Sequence, residues 1–321
     1  MLIHFWGSRG SLPAATTFDA VEAKIRHAVS LAIQSRLTDD PAAIDRFVRD
    51  LPFAQRGGYG GNTSCVEIRG GTEFVICDAG SGLRDFGTYV MREVRAKRVA
   101  FPCVFNIFLS HPHWDHIHGF PFFVPAYVPG NIIRIHGCHH NLADIFTEQQ
   151  KTPFFPVPLK AMRADIQFHS LDLNEEYDIA GFRVRALRQN HPGASYGYAF
   201  HKDGRKVVYS TDSEHKADAE SEDYPPLAFF KDADLLIFDA QYTLADAIDV
   251  KENWGHSSNL VGVELSARAG VRRLCMFHSE HTADDETLDR FLGDTRKYLP
   301  LYAENCSLQI DQAYDGFEIS V

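Results

Sequence analysis

No stretch of this 321-residue chain is apolar for anything near the roughly 20 residues that a bilayer-spanning helix needs. Its most apolar windows, Val104 to Leu109 and Leu235 to Phe238, are a fraction of that length, so no membrane span is expected. The opening Met1-Leu2-Ile3-His4-Phe5-Trp6-Gly7 lacks a basic leader, a long apolar run and a small-residue cleavage site. The expectation is a chain that starts at residue 1 and works in the cytoplasm. Cysteine is sparse: Cys65, Cys77, Cys103, Cys138, Cys275 and Cys306 are scattered, none in a C-x-x-C pair, as expected of buried reduced thiols rather than disulfides. Basic residues are outnumbered, 32 Lys and Arg against 43 Asp and Glu, giving a net charge of −11 at pH 7 with no Lys/Arg block. A large nucleic-acid partner is thereby disfavoured, because polyanion binding needs phosphate neutralisation; a small anionic substrate held locally is compatible. No repeat, low-complexity tract or long linker divides the chain, which reads as one domain over 1–321.

What the chain has in abundance is strand signal. Apolar, β-branched and aromatic runs bounded by turn residues recur at 1 to 6, Ser64 to Ile68, Glu73 to Cys77, Val104 to Leu109, Ile132 to His136, Phe182 to Leu187, Tyr196 to Phe200 and Lys206 to Ser210. Further runs follow at Asp234 to Phe238, Arg272 to Phe277 and Ser307 to Ile310. Helices fit between them at Leu83 to Arg95, His140 to Gln149 and Asn259 to Ala269, the last closed by Gly270. Hairpin strands with helices outside them predict a layered α/β sandwich. Early in the chain the period changes: Phe18, Val21, Ile25, Val29 and Ile33 form a helical stripe, and Asp40-Pro41 starts a second helix carrying Ile44, Phe47, Val48 and Leu51. This pair lies between the first strand and Gly57-Gly58-Tyr59-Gly60-Gly61, and reads as a helical insertion over 14–56. It would pack on the core, cap a site or bury against a second copy of the chain. Phe154-Phe155-Pro156-Val157-Pro158 reads as a surface loop edging the site.

Histidine is the other abundance, 16 in all. The strand ending Phe108-Leu109 runs into Ser110-His111-Pro112-His113-Trp114-Asp115-His116, an H-x-H-x-D-H segment with four metal-binding side chains in six residues. Neutral imidazole and hard carboxylate oxygen are ligands for divalent cations, and a turn after a strand can aim alternate residues at one point. The spacing suits two adjacent ions, His111 and His113 on one, Asp115 and His116 on its neighbour. One segment cannot close two coordination spheres. His191, Asp212 and His278, each ending a strand-like run, are candidates for the remaining ligands; His118, His215 and His281 lie close by in sequence, His281 being the substitute for His278.

With these residues in place, the sequence resembles the metallo-β-lactamase superfamily: H-x-H-x-D-H, then a separate His, a separate Asp and a final His. The resemblance extends to Gly7-Ser8-Arg9-Gly10-Ser11, Tyr59-Gly60-Gly61-Asn62-Thr63-Ser64, Asp78-Ala79-Gly80-Ser81-Gly82 and Gly255-His256-Ser257-Ser258. It implies a four-layer αββα sandwich and two zinc ions, manganese or iron being alternatives. His111, His113 and His191 would hold one ion; Asp115, His116 and His278 the other; Asp212 would bridge them; and Asp78 would orient the metal histidines from behind. Within the superfamily, Trp254-Gly255-His256-Ser257-Ser258 is similar to the histidine motif of ribonuclease Z and related phosphodiesterases. The likeness implies hydrolysis of a phosphodiester, with Asp115 and Asp212 holding the ions and orienting the attacking water and His256 protonating the leaving oxygen. Ser8, Arg9 and Asn62 are candidate contacts to the substrate anion. With no basic or glycine-rich arm for transfer RNA in the sequence, a small diester such as a cyclic nucleotide is expected. The alternatives are a thioesterase or lactonase, ribonuclease Z-like RNA processing, and a non-enzymatic metal-containing module.

Overall fold

The computed structural model describes residues 1–243 and 253–321. Two seven-stranded mixed sheets face each other. The first has the order β14-β1-β2-β3-β4-β5-β6 and the second β13-β12-β11-β10-β9-β8-β7. Their strands are β1 Leu2–Gly7, β2 Cys65–Arg69, β3 Phe74–Cys77, β4 Val104–Phe108, β5 Ile132–Gly137, β6 Asp165–Ser170 and β14 Glu318–Ser320 in the first; β7 Glu176–Ile179, β8 Phe182–Gln189, β9 Ser195–Lys202, β10 Arg205–Ser210, β11 Leu235–Asp239, β12 Arg273–Phe277 and β13 Gln309–Gln312 form the second. Each sheet has the same plan, antiparallel strands at one side and a parallel block at the other: β3 to β6 pair in parallel, as do β10 to β13.

Alternation along the strands sorts side chains into three apolar layers. In β10, Val207 and Tyr209 face the inter-sheet core while Val208 faces outward; in β11, Leu235 and Ile237 face in, Leu236 and Phe238 out. Both faces are apolar because helices cover the parallel blocks from outside. The helix α4, Gly82–Arg95, lays Leu83, Phe86 and Val90 on the first sheet, and α6, Leu142–Gln149, adds Phe146. On the second sheet, Asn259–Arg268 contributes Val263 and Leu265, and Pro225–Phe230 adds Leu227 and Phe230. The C-terminal helix Asp285–Tyr302 also lies on this side, through Phe291, Leu292 and Leu299. The expected αββα sandwich is the observed architecture. Among the described residues no helix is long and apolar enough to cross a membrane.

The insertion is helical over Phe18–Gln34 (α1), Pro41–Asp50 (α2) and Phe53–Arg56 (α3), with Thr17 and Asp40 as side-chain N-caps. Neither α1 nor α2 has a buried residue, and Phe18, Val21, Ile25, Val29 and Ile33 are between 44% and 79% exposed. Of the three readings of that stripe, packing on the protein's own core is therefore excluded. The insertion is tied down at its end, where Ala54 is buried and Phe53 packs on Tyr59 and Tyr314, and by polar contacts: Lys24 donates to the Gly57 carbonyl and to Asp285 (2.5 Å each), and Ala54 N–H donates to Asp289 (3.0 Å).

Candidate metal centre

The residues with metal-binding chemistry collect where strands end. His111 lies three residues beyond β4, His191 two beyond β8, Asp212 two beyond β10 and His278 one beyond β12, while Asp115 and His116 sit on the single turn Trp114–Ile117 (α5). Reaching one point from both sheets bends the backbone: Asp78, Asp212 and His278 adopt φ of 61°, 46° and 60°. Such left-handed conformations cost a non-glycine residue on the order of 1–3 kcal/mol and persist where surrounding contacts enforce them. Close approach also dictates a glycine. A Cβ on Gly10 would lie 2.5 Å from Nδ1 of His278, so only a bare backbone passes there.

Two donor sets result. Nε2 of His191 is 3.1 Å from Nδ1 of His113, and Asp212 Oδ2 lies 3.5 Å from His111 Nε2 and 3.9 Å from His191 Nε2. In the second set, His116 Nε2, His278 Nε2, Asp115 Oδ2 and Asp212 Oδ1 are mutual neighbours. The two imidazole nitrogens are 3.2 Å apart, and Asp115 Oδ2 is 3.3 Å from His116 and 3.1 Å from His278. Asp212 Oδ1 is 3.2 Å from His116 and 3.4 Å from His278. Asp212 thus offers one oxygen to each set. For bonds of 2.0–2.1 Å, the edge of a tetrahedron around zinc is about 3.3 Å, close to these separations. Nε2 of His111 is buried without a hydrogen-bond partner, a lone pair left for a cation. The donors fit two ions, and the His/Asp chemistry suits zinc while also accepting manganese or iron. All seven expected ligands are brought together here.

Charge balance within the cluster is set by mutual proximity. Burial alone would raise the Asp212 carboxyl, but His116, His278 and His111 hold it well below the usual carboxylate range. Burial would likewise hold His116 neutral, and the carboxylates of Asp212, Asp115 and Asp78 outweigh it, lifting its pKa. Behind the donors, Asp78 is fully buried and lies 2.7 Å from Nδ1 of His116. The carboxylate accepts Ser110 N–H and hydroxyl (2.7 Å each) and the Tyr209 hydroxyl (2.7 Å). The Gly255 carbonyl does the same work for His191, 2.8 Å from its Nδ1. Such contacts choose the ring nitrogen that faces an ion and hold its direction.

Sequence reasoning missed Asp239. This last residue of β11 is fully buried, its Oδ2 lies 3.0 Å from Nδ1 of His256, and its Oδ1 lies 3.8 Å from Nδ1 of His278. The available signal was the one that identified Asp212, an apolar strand ending in an acid. Burial lowers the His256 pKa, but the charge and hydrogen bond of Asp239 prevail and carry it up to about 9. His256 stacks on His278 with ring centres 5.1 Å apart, so it flanks the second donor set.

The three expected substrate contacts are placed otherwise. Arg9 is buried, and its guanidinium donates to the carbonyls of Gly60 (3.0 Å), Glu280 (3.1 Å) and Ala283 (2.8 Å). The Ser8 hydroxyl donates to Asp315 (3.1 Å), and the Asn62 amide to Trp6 O (3.2 Å) and Asp85 (2.7 Å). These hydrogen bonds run to neighbouring loops, to β1 and to α4, and none of them is to a member of either donor set. The same turn reaches the site through its backbone: Ser11 N–H donates to Asp115 Oδ2 at 2.8 Å. His118, His215 and His281 contact Trp114 O, Tyr224 and Glu280 and belong to neither donor set.

Comparison with known proteins follows the same lines. The chain is 24% identical over 258 residues to a ribonuclease Z of Picrophilus torridus, covering 64% of this chain and 78% of that protein. It is 23% identical over 301 residues to a ribonuclease Z of Haloarcula marismortui, covering 76% and 89%. The metallo-β-lactamase fold protein YhfI from Bacillus subtilis superposes with a TM-score of 0.63 at 18% identity, over 99% of this chain and 98% of that one. A model described as the beta-lactamase superfamily domain matches residues 74–279, nearly two thirds of the chain and spanning every donor of both sets, so the protein belongs to the beta-lactamase superfamily.

Proposed function

We propose that the protein is a dinuclear metal-dependent phosphodiesterase acting on a small phosphodiester, a cyclic nucleotide being the type of substrate expected. The observation that carries this reading is the juxtaposition of two donor sets joined by one carboxylate, with the Asp239–His256 pair beside them. Two divalent ions, when bound, supply an activated water and neutralise the charge on phosphate oxygens. The chain's own residues do the rest. Asp212 and Asp115 hold the pair, Asp78 and Ser110 keep the rings aligned, and Asp239 holds Nδ1 of His256. The remaining ring nitrogen, Nε2, is then the atom that passes a proton to the departing oxygen. The Asp239 carboxylate raises the His256 pKa, the direction a proton donor requires. The two ribonuclease Z relatives support phosphodiester chemistry; the acidic balance and the lack of a basic arm favour a small substrate over a folded RNA.

The test is hydrolysis of bis-p-nitrophenyl phosphate by zinc- or manganese-reconstituted protein, beside a thioester and a lactone. Diester turnover is expected to dominate, and His256→Ala is expected to lower it about 10²–10⁴-fold, the usual contribution of a positioned acid, with metal content retained. Full diester turnover in His256→Ala, or faster turnover of the thioester or lactone, overturns the reading.

A further inference from the structure

A cavity of about 310 Å³ opens where the chain leaves β11 and β12, at the lower end of the range for small-molecule sites. Its wall includes Ala240 and Ser279, the residues next in the chain to Asp239 and His278. Its far wall is the turn carrying Thr282 and Ala283, floored by Leu288 and Phe291 of the C-terminal helix. The turn is built in place: Arg9 donates to the carbonyls at both of its ends, Glu280 and Ala283.

Gln241 gives this cavity its chemistry. The residue is only 5% exposed; its Nε2 donates to the Ser11 hydroxyl (3.1 Å), and its Oε1 is buried with no hydrogen-bond partner. Whichever way the amide is turned, one of its polar atoms is left without a partner beside the cavity, and an unpartnered buried polar group is costly. Hydroxyls, an amide and an apolar floor line the space, and among the described lining residues Glu280 is the one charged group.

We propose that this cavity receives the organic group esterified to the phosphate: a neutral, hydroxyl-bearing group of sugar or nucleoside size, one hydroxyl of which bonds Gln241. The assignment rests on the phosphodiester reading above and makes Gln241 a specificity residue.

The experiment uses the zinc-reconstituted full chain and the variants Gln241→Leu, which removes the polar atoms at similar volume, and Ala283→Leu, which fills the space. Two substrates are compared: the p-nitrophenyl ester of thymidine 5′-phosphate, and bis-p-nitrophenyl phosphate, which has no sugar. In each variant the ratio of kcat/KM for the thymidine ester to that for the sugar-free diester is expected to fall about tenfold or more, chiefly through KM. Thymidine itself, followed by saturation-transfer NMR, is expected to bind the parent protein and not the variants. An unchanged ratio in both variants, or no thymidine signal with the parent, overturns the proposal even if the sugar-free diester is turned over. Thymidine binding lost in both variants upholds the cavity assignment even if neither ester is hydrolysed, a result that removes the phosphodiester reading alone.

Discussion

Asp212 faces two donor sets at once, which a carboxylate can do and a single thiolate sulfur cannot do with separate atoms. Oδ2 lies 3.5 and 3.9 Å from the His111 and His191 nitrogens, and Oδ1 3.2 and 3.4 Å from those of His116 and His278. That division makes the residue sensitive to small displacements, and the left-handed backbone at Asp212 and His278 shows the fold bearing strain to secure it. Asp239 is the less obvious counterpart. It bonds His256 and accepts the N–H of Ser213 (3.1 Å), linking the strand end of β11 to the turn after Asp212. Asp239→Asn preserves shape and removes the charge. Turnover of bis-p-nitrophenyl phosphate is expected to drop about 10–100-fold, in line with losses on altering groups that orient site residues, while zinc content by elemental analysis stays within twofold. Undiminished turnover would show that His256 needs no carboxylate partner.

The N-terminus of the C-terminal helix is where the insertion meets the sandwich. Asp285 lies in its first turn, accepting Tyr59 N–H (2.8 Å) and Lys24 of α1 (2.5 Å), and Asp289, one turn on, accepts the Tyr59 hydroxyl (2.6 Å) and Ala54 N–H. Tyr59 is 3% exposed, so Asp285→Ala strands a buried backbone donor. Unfolding in urea should show a loss of about 1–3 kcal/mol, and an unchanged midpoint would mean that water replaces the carboxylate. The exposed stripe of α1 carries the opposite expectation. Because Ile25 and Val29 are 59% and 52% exposed, Ile25→Gln with Val29→Gln should alter the stability of the monomer by no more than about 0.5 kcal/mol each. A larger loss that depends on protein concentration would indicate a second copy on that face.

Across the whole molecule, histidines held neutral inside the sandwich, away from the donor sets, are a source of acid sensitivity. His136 in β5 lies between Phe108 and His169, and burial, with the nearby charges of His169 and Arg134, pushes its pKa down to about 3. A histidine depressed in the folded state binds its proton more readily when unfolded. Its contribution is complete above the ordinary value near 6.5 and is lost as pH falls from there toward 3. Within that window the slope is about 1.4 kcal/mol per pH unit for one such group. His136→Phe should flatten the acid limb of the stability curve by that slope, measured by urea unfolding between pH 6 and pH 4; an identical acid limb would show that His136 does not govern it.

Much of this molecule was legible along the chain, because strands leave a period-two trace and metal ligands are few in kind. The seven donors, the central strands and the helices α1, α2, α4 and Asn259–Arg268 are local events: an apolar run, a cap, a histidine or aspartate at a strand end. Less visible were the edge strands β6, β7 and β14, short and half-exposed, and the helix Asp285–Tyr302, whose apolar positions are diluted by charges, Gly293 and Pro300. What tertiary structure alone decided were the partners of groups distant in sequence. Periodicity shows that α1 has an apolar face but not what covers it, and an arginine after a strand looks alike whether it meets a substrate anion or, 271 and 274 residues away, the carbonyls of Glu280 and Ala283. Identity and spacing specify what a side chain can do; only packing settles which neighbour it does it with.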